Sequence, residues 1–243
     1  MSLLDEVWRG ARRCARQAQR MVRDKIDGRD SQLVGPNDDV PTGPLVRSVF
    51  CKQPIRNSEG EAAKRHNIEL AAGIISRCAI HPAQIFSFWH VVGRPTRSRG
   101  FRAGRSIVDG ELVRDLGGGL CQLAGILHVL AMRSGMTIIE RHAHSRDIYT
   151  EATRYTPLGS DAAVAFAYKD LRFRNTLPYP VRLEIELDAD AVHGHILSPN
   201  PLTAYTLDYT RHDGTLQRYA ATYRTCPTSQ LRELVHLSRY TLG

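Results

Sequence analysis

The sequence predicts an α+β protein in which N-terminal helices and a cysteine-bearing helix pack on a mainly antiparallel sheet. Apolar residues recur at helical spacing in three stretches before residue 135. Short apolar runs separated by turn residues dominate after residue 144. The 243 residues, of which 42% are hydrophobic, suit one sizeable domain with small appendages.

The first 26 residues form a predicted cationic amphipathic helix, with six arginines and no acid between Arg9 and Arg23. Its apolar stripe comprises Leu4, Val7, Trp8, Ala11, Ala15, Ala18 and Val22. Such a helix can lie on an anionic membrane surface. Packing of the stripe on its own domain or on a partner is the favoured interpretation, because alanine dominates the stripe and apolar area drives membrane insertion.

Residues 27–45 are rich in turn formers and are interpreted as a linker to a domain spanning residues 46–243. In that domain, residues 45–50 favour a strand, residues 60–77 a helix and residues 85–89 a strand. Asp109-Gly110 between two apolar pairs predicts a hairpin. The arginines around it could contact a carboxylate-bearing substrate or form a solvated surface.

Residues 117–122 carry the strongest signal for chemistry. Gly117, Gly118 and Gly119 precede Leu120-Cys121-Gln122, which opens a helical pattern that stops at Gly135. Cys121 therefore lies near the first turn of a helix, where the macrodipole favours a thiolate. The glycines would let backbone or substrate approach the sulfur.

Residues 136–139 predict a buried strand that continues through Glu140-Arg141-His142-Ala143-His144. On an extended chain His142 and His144 share one face. A thiol at a helix start facing a strand-borne imidazole is the general layout of a Cys–His nucleophilic site. The alternative is that Cys121 is a small buried residue and the histidines are structural.

Beyond His144 the sequence predicts mostly strands, at residues 162–168, 181–187, 192–197, 205–209 and 216–223. Residues 228–240 are interpreted as a short terminal helix.

Composition excludes several classes of function. The net charge is +8, yet there is no lysine-rich tract, zinc-finger spacing or RNP-like aromatic pattern, so we expect no nucleic-acid binding. Five widely spaced cysteines indicate no disulfide framework. Without a signal-like segment or a bilayer-length apolar run, we expect a cytoplasmic protein, with peripheral contact at the inner face of the membrane as the second interpretation.

These motifs, taken in order, resemble the VanW family from about Arg65 to Ile196. The pieces that carry the resemblance are Asn67-Ile68, Phe86-Ser87-Phe88, Arg99-Gly100-Phe101, Gly117 to Gln122, Glu140 to Ser145, Gly159 to Ala162 and Asp170 to Asn175. The resemblance implies a role associated with glycopeptide resistance or the cell envelope, without an assigned reaction or cofactor.

A looser resemblance is to papain-like and transglutaminase-like folds. It implies Cys121 as nucleophile, His144 as general base and Asp161 as the group that orients the imidazole. His142 is the competing base. Gln122 or backbone N–H groups near the glycines would hold the oxyanion.

In that interpretation Arg141 would bind a substrate carboxylate, or else form an ion pair with Glu140 or Asp161. The reaction would be acyl transfer or amide hydrolysis on a peptide or a cell-wall precursor.

Two other interpretations remain open. Cys121, His142 and His144 could bind zinc, with Asp161 or water as the fourth ligand. Alternatively, the protein binds a peptide or envelope precursor without catalysis, and Cys121, His144 and Asp161 hold the core together. Asp161 could also simply form a turn into a strand.

Overall fold

The computed structural model describes residues 3–35, 43–55, 60–108, 111–147, 154 and 156–242. Its helices are α1 (Leu3–Ile26), α2 (Glu61–Ile75), α3 (Phe88–Val92) and α4 (Leu120–Arg133). Its strands are β1 (Val46–Pro54), β2 (Ala79–Ile80), β3 (Ile85–Ser87), β4 (Ala103–Val108), β5 (Glu111–Leu116), β6 (Thr137–Glu140), β7 (Arg146–Asp147), β8 (Arg172–Arg174), β9 (Val181–Leu187), β10 (Ala191–Ser198), β11 (Thr206–Asp213), β12 (Gln217–Thr225) and β13 (Arg232–Leu242). The predicted α+β class is confirmed.

The cysteine-bearing helix α4 packs on an antiparallel sheet with strand order β1-β10-β9-β2. Gly194 on β10 makes this contact close, since a Cβ there would lie 2.6 Å from Ile126 Cγ2 and 2.9 Å from Leu130 Cδ1. Ile126 and Leu130 are fully buried. The predicted packing of the cysteine helix on a mainly antiparallel sheet is confirmed.

A smaller sheet of order β3-β8-β6 carries the segment that leads to the predicted histidines. The expected strand 85–89 ends early, because Ser87 caps a helix: its Oγ accepts from the backbone N–H of His90. Ser87 Oγ also donates to Asp170 Oδ2 at 2.6 Å. Phe88 and Trp89 therefore begin α3 and are buried there.

The C-terminal sheet has the order β11-β12-β13-β7. The expected helix over residues 228–240 is wrong, because residues 232–242 form β13. Leu231, Leu234 and Leu237 suggest a helix by their spacing of three, yet all are exposed. A β-bulge at Val235 puts Leu234 and Leu237 on the outer face, while Ser238 and Tyr240 point inward and are buried.

The other differences concern connections between elements. Residues 162–168 form a turn with one isolated bridge, Ala165 to Lys169, and no strand. The strand expected to run through His144 ends at Glu140. Part of the expected linker belongs to the core, because Val34 is fully buried and its N–H donates to Ile85 O at 3.0 Å. Asp109 and Gly110, the predicted hairpin turn, lie outside the described residues.

Helix α1 meets the rest of the molecule through polar residues. Asp24 and Arg172 are buried and joined by two hydrogen bonds of 2.6 and 2.9 Å. Arg20 makes two bonds of 2.6 and 2.9 Å to the carboxylate of Glu140. The expectation that the apolar stripe packs on its own domain is wrong for the described side chains, because Trp8 and Val22 are 65% and 57% exposed. Within the described residues, no helix has the length and apolarity needed to cross a bilayer.

Candidate functional site

The site begins at the glycine turn that starts α4. Gly117 and Gly119 have φ values of +88° and +100°, a left-handed conformation that side chains rarely adopt. A Cβ on Gly119 would lie 2.7 Å from Lys64 Cγ, and one on Gly117 would lie 2.9 Å from Leu120 Cδ1. The sequence therefore needs glycine here for backbone conformation and for close packing.

The protein itself fills the space around two of these glycines. Gly117 and Gly118 are buried, and Gly118 O accepts from the side chain of Asn67 at 3.0 Å. Gly119 is partly exposed. Of the three glycines predicted to contact substrate, the structure leaves Gly119 as the accessible one.

Cys121 lies in the first turn of α4 and is partly exposed. Its thiol donates to Val164 O at 3.5 Å and forms a hydrogen bond with the ring of His144. The sequence separation between Cys121 and His144 is bridged because α4 packs against β6, the strand that leads to His144. The thiol and the predicted base are thus in direct contact.

His144 is held by Asp161 at two points. Its Nδ1 lies 2.6 Å from Asp161 Oδ2, and its backbone N–H donates to the same oxygen at 2.8 Å. With the carboxylate accepting from Nδ1, the Nε2 atom is left for Cys121. The three side chains form a continuous thiol–imidazole–carboxylate chain.

Asp161 is itself fixed from a second direction. Its Oδ1 accepts from Arg141 at 2.8 Å and from the hydroxyl of Tyr240 at 2.6 Å. Arg141 also donates to Asp161 O at 2.7 Å and to Ser238 Oγ at 2.5 Å. Four donors on one carboxylate leave it little freedom to turn.

The electrostatics favour charge separation in this chain. Burial raises the pKa of Cys121, but the hydrogen bond and charge of His144 outweigh burial and bring it below its ordinary value. Burial lowers the pKa of His144, but Asp161 and Cys121 reverse this and raise it to about 10. Burial opposes ionisation of Asp161, yet bonds from His144, Arg141 and Tyr240 hold its pKa well below the usual range. Both shifts favour the thiolate and the imidazolium over the neutral pair.

Three predicted site residues are not part of the series formed by Cys121, His144 and Asp161. His142 Nε2 is 2.9 Å from Glu140 Oε1, so His142 faces an acid rather than the thiol. Arg141 has a side chain that is 5% exposed and is paired with Asp161, the second of its two predicted roles. Gln122 is buried and donates to Pro54 O at 2.9 Å.

Several groups that fix the site were missed by the sequence analysis. Tyr240, Ser238 and His236 alternate along β13, and His236 Nε2 lies 3.0 Å from Gly159 O. The alternation of these residues could have predicted a strand, but the spacing of three between the leucines suggested a helix instead. His128 on α4 was also missed; it is fully buried, and its Nδ1 lies 3.0 Å from Ser160 O.

Among the described residues, no metal site coincides with the thiol, and a cleft elsewhere in the fold lies away from it. Among the described side chains, no group of three or more His, Cys, Asp or Glu residues is arranged to hold a metal ion. A cleft of about 390 Å³ is lined by Arg133, Gln53 and Tyr205, among others. Arg133 ends the helix that Cys121 begins, about 18 Å away at the rise of an α-helix, so this cleft does not enclose the thiol.

The fold and site thus define an α+β protein with a partly buried series of thiol, imidazole and carboxylate at a helix start. Residues 63–197 match the family described as VanW like protein. This match covers more than half of the chain, and the protein belongs to the VanW family. The resemblance that the motifs predicted is confirmed.

Two relatives match parts of the chain. It is 37% identical over 119 residues to the uncharacterized protein YoaR of Bacillus subtilis, covering 49% of this chain and 38% of YoaR. It is 27% identical over 167 residues to the vancomycin B-type resistance protein VanW of Enterococcus faecalis, covering 66% of this chain and 61% of that protein. The chain thus spans less than two thirds of either relative. No solved structure matches it.

Proposed function

We propose that this protein is a cysteine acyltransferase or amidase acting on a peptide-like precursor of the cell envelope. One observation carries the proposal: the thiol of Cys121 is hydrogen-bonded to His144, whose other ring nitrogen lies 2.6 Å from Asp161. Nucleophile, base and orienting carboxylate in series are the parts that acyl transfer requires.

The residues divide the reaction as follows. The Cys121 thiolate attacks the amide carbonyl carbon and forms a C–S bond. His144 donates its Nε2 proton to the leaving nitrogen as the C–N bond breaks, which leaves a thioester on Cys121. His144 then accepts a proton from water or from an acceptor amine, which attacks the thioester and releases the thiolate. Asp161 fixes the imidazole and stabilises its charged form throughout.

The first turn of α4 is the best candidate to hold the oxyanion. The N–H groups of Leu120 and Gln122 already donate to Gly117 O at 3.2 Å and to Gly119 O at 3.0 Å, so the backbone N–H of Cys121 itself is the donor proposed for the oxyanion. Gln122 is less suited, because its amide N–H is directed to Pro54 O, and its buried Oε1 has no hydrogen-bond partner among the residues that the structure describes.

Family membership supports the class of substrate. One relative is named a vancomycin B-type resistance protein, and we extend to this chain a role in handling cell-wall peptides. Arg141 is not the substrate's carboxylate partner in this proposal, because its guanidinium already binds Asp161. In this proposal, basic residues other than Arg141 would contact the substrate's carboxylate.

A second candidate function is binding without catalysis. The thiol of Cys121 donates to Val164 O, and Gly117 and Gly118 are buried by the protein itself. Both observations suit a structural role, in which Cys121, His144 and Asp161 hold this part of the protein together. In that case the site would stabilise a peptide-binding surface rather than attack the peptide.

Thiol reactivity and acyl transfer distinguish the two candidates. Cys14 is exposed, and bonds from Ser229 and Tyr205 lower the pKa of Cys226 to about 7, so both would compete with Cys121 for reagents. The experiment therefore uses a C14S/C226S background with p-nitrophenyl acetate, a general acyl donor, followed by a muropeptide digest. Mass spectrometry locates the acyl group and detects cleaved or transferred peptides.

An acyl group on Cys121, lost in Cys121→Ala and His144→Ala, together with altered muropeptides, is the expected result. Cys51→Ala is the matched control, because that thiol is buried with a pKa raised to about 11 and should not react. If Cys121 stays unacylated while Cys121→Ala binds muropeptides normally and melts at a lower temperature, the enzymatic proposal fails and the binding function stands.

A further inference from the structure

Helix α1 is oriented opposite to most amphipathic helices, because its polar face rather than its apolar face packs on the domain. The face toward the domain carries Arg13, Gln17, Arg20 and Asp24, spaced three or four residues apart and at least half-buried. Asp24 is 6% exposed and bonds Arg172, while Arg20 bonds Glu140. A polar contact with paired charges fixes this face against the molecule.

The opposite face of α1 is apolar and uncovered. Trp8, Ala11, Ala15, Ala18, Val22 and Ile26 fall on one stripe at helical spacing, and each of them is exposed. Because the polar face is fixed by buried ion pairs, the helix cannot rotate to bury this stripe without breaking them. The fold therefore holds the apolar stripe on the outside of the molecule.

The charges bordering the stripe indicate what covers it. Arg12 and Arg23 are exposed on one border, and Lys25 is exposed on the other. In a helix pair formed through the stripe, the arginines of two copies would lie near each other and repel. An anionic surface instead complements them, and a tryptophan beside basic residues is typical of helices at a lipid interface.

We propose that α1 is a membrane-docking helix whose stripe inserts at the surface of an anionic bilayer. Arg12, Arg23 and Lys25, which are exposed along the borders of the stripe, supply the attraction. Insertion is shallow, because half of the stripe is alanine and its large members are Trp8, Val22 and Ile26. Docking does not depend on whether Cys121 is catalytic.

Docking would connect the membrane-bound helix to the segment that carries the proposed base. Arg20 binds Glu140, which also holds His142 and directly precedes the segment leading to His144. The helix is therefore attached to the chain that carries the proposed base.

The test uses the full chain and vesicles of phosphatidylcholine with or without a quarter of phosphatidylglycerol. Trp8 is 65% exposed and Trp89 is 7% exposed, so a blue shift of tryptophan emission on binding reports Trp8. We expect the shift and co-sedimentation with the anionic vesicles, loss of both in high salt, and loss of the shift in Trp8→Phe.

Charge variants test the specificity of the surface. Each arginine near an anionic membrane strengthens binding about fivefold, so Arg12→Gln with Arg23→Gln should weaken it about 25-fold. Arg97→Gln with Arg239→Gln is the matched control, because both are exposed and the charge change is the same. Circular dichroism confirms that both variants stay folded.

Three outcomes would overturn the proposal. One is an unchanged Trp8 emission with anionic vesicles. Another is an equal loss of binding in the two double variants, which would indicate a general charge effect. The third is sedimentation of the free chain as a dimer that Trp8→Ala dissociates and vesicles do not, which would assign the stripe to a second copy.

Discussion

Asp161 shows how a single residue organises the candidate site. Its carboxylate accepts from the ring and backbone of His144 on one oxygen and from Arg141 and Tyr240 on the other. Ordered donors of this kind keep the anion charged in spite of burial, and the anion in turn keeps His144 protonated. The charge state of Cys121 therefore depends on residues far away in sequence.

At residue scale, His144→Ala should raise the apparent pKa of Cys121. The variant removes the hydrogen bond and the charge that offset burial, so burial is left to raise the pKa of the thiol. The pH dependence of iodoacetamide alkylation at Cys121, followed by peptide mass spectrometry, measures it. His142→Ala is the control, because His142 faces Glu140; an equal rise there would contradict the assignment of the base.

Tyr240→Phe should lower the free energy of unfolding by about 1–2 kcal/mol, because it removes a buried donor from Asp161. Urea unfolding measures the change. Tyr219→Phe on the neighbouring strand is the control, since that ring is 43% exposed and its hydroxyl bonds Gln217 at the surface. Equal losses in the two variants would show that Tyr240 does not support the carboxylate.

At the scale of elements, the position of α4 depends on its packing against β10. Gly194 lets Ile126 and Leu130 approach the sheet, and the glycine turn lets α4 start beside α2. The chain after β6 then runs beside residues 159–164, with the N–H of Ala163 donating to His142 O at 2.8 Å. Helix and segment thus set the distance from thiol to imidazole.

Gly194→Ala should displace α4 and lower the free energy of unfolding by roughly 1–3 kcal/mol, because the new Cβ would overlap Ile126. Gly73→Ala is the control: it lies inside α2 with no atom near its Cβ position, so it should stabilise by roughly 0.5–1 kcal/mol. Thermal unfolding compares them. A stable Gly194→Ala protein with unchanged Cys121 alkylation would contradict this account of the packing.

At the scale of the molecule, the C-terminal sheet is part of the site rather than an appendage. Tyr240 and Ser238 bind Asp161 and Arg141, and His236 stacks near His128 of α4 with ring centroids 5.1 Å apart. Burial lowers the pKa of His236 to about 4 and that of His128 well below its usual value. These two neutral rings join the family domain to the strands beyond it.

Stability should therefore fall in mild acid. Because both histidines titrate near 6.5 when unfolded and lower when folded, the unfolded chain binds more protons as pH drops, and stability is lost from about pH 6.5 downward. His144 acts in the opposite sense, but its contribution is complete below pH 6.5. We expect a loss of about 2–4 kcal/mol between pH 7 and pH 5 in urea unfolding.

His236→Leu should reduce this loss, since it removes one of the two titrating rings. A wild-type free energy of unfolding that stays constant from pH 7 to pH 5 would contradict the burial of neutral rings.

Local signals in the sequence determined a large part of this protein. A glycine run followed by apolar residues at helical spacing determined α4. The backbone conformation and burial of each position there depend on residues only a few places away in the sequence. Alternation and turn residues determined β9, β10 and the β11–β12 hairpin for the same reason. The motif order determined the family, and Cys121, His144 and Asp161 were named as a set.

Only the tertiary structure decided which groups meet. It placed His144 rather than His142 beside Cys121, and it paired Arg141 with Asp161. It also formed β13 where a terminal helix was expected. It also turned the apolar stripe of α1 outward, because ion pairs from Arg20 and Asp24 occupy the inner face. Periodicity shows which residues share a face, but the partner of that face lies far along the chain and is set by the packing of the whole molecule.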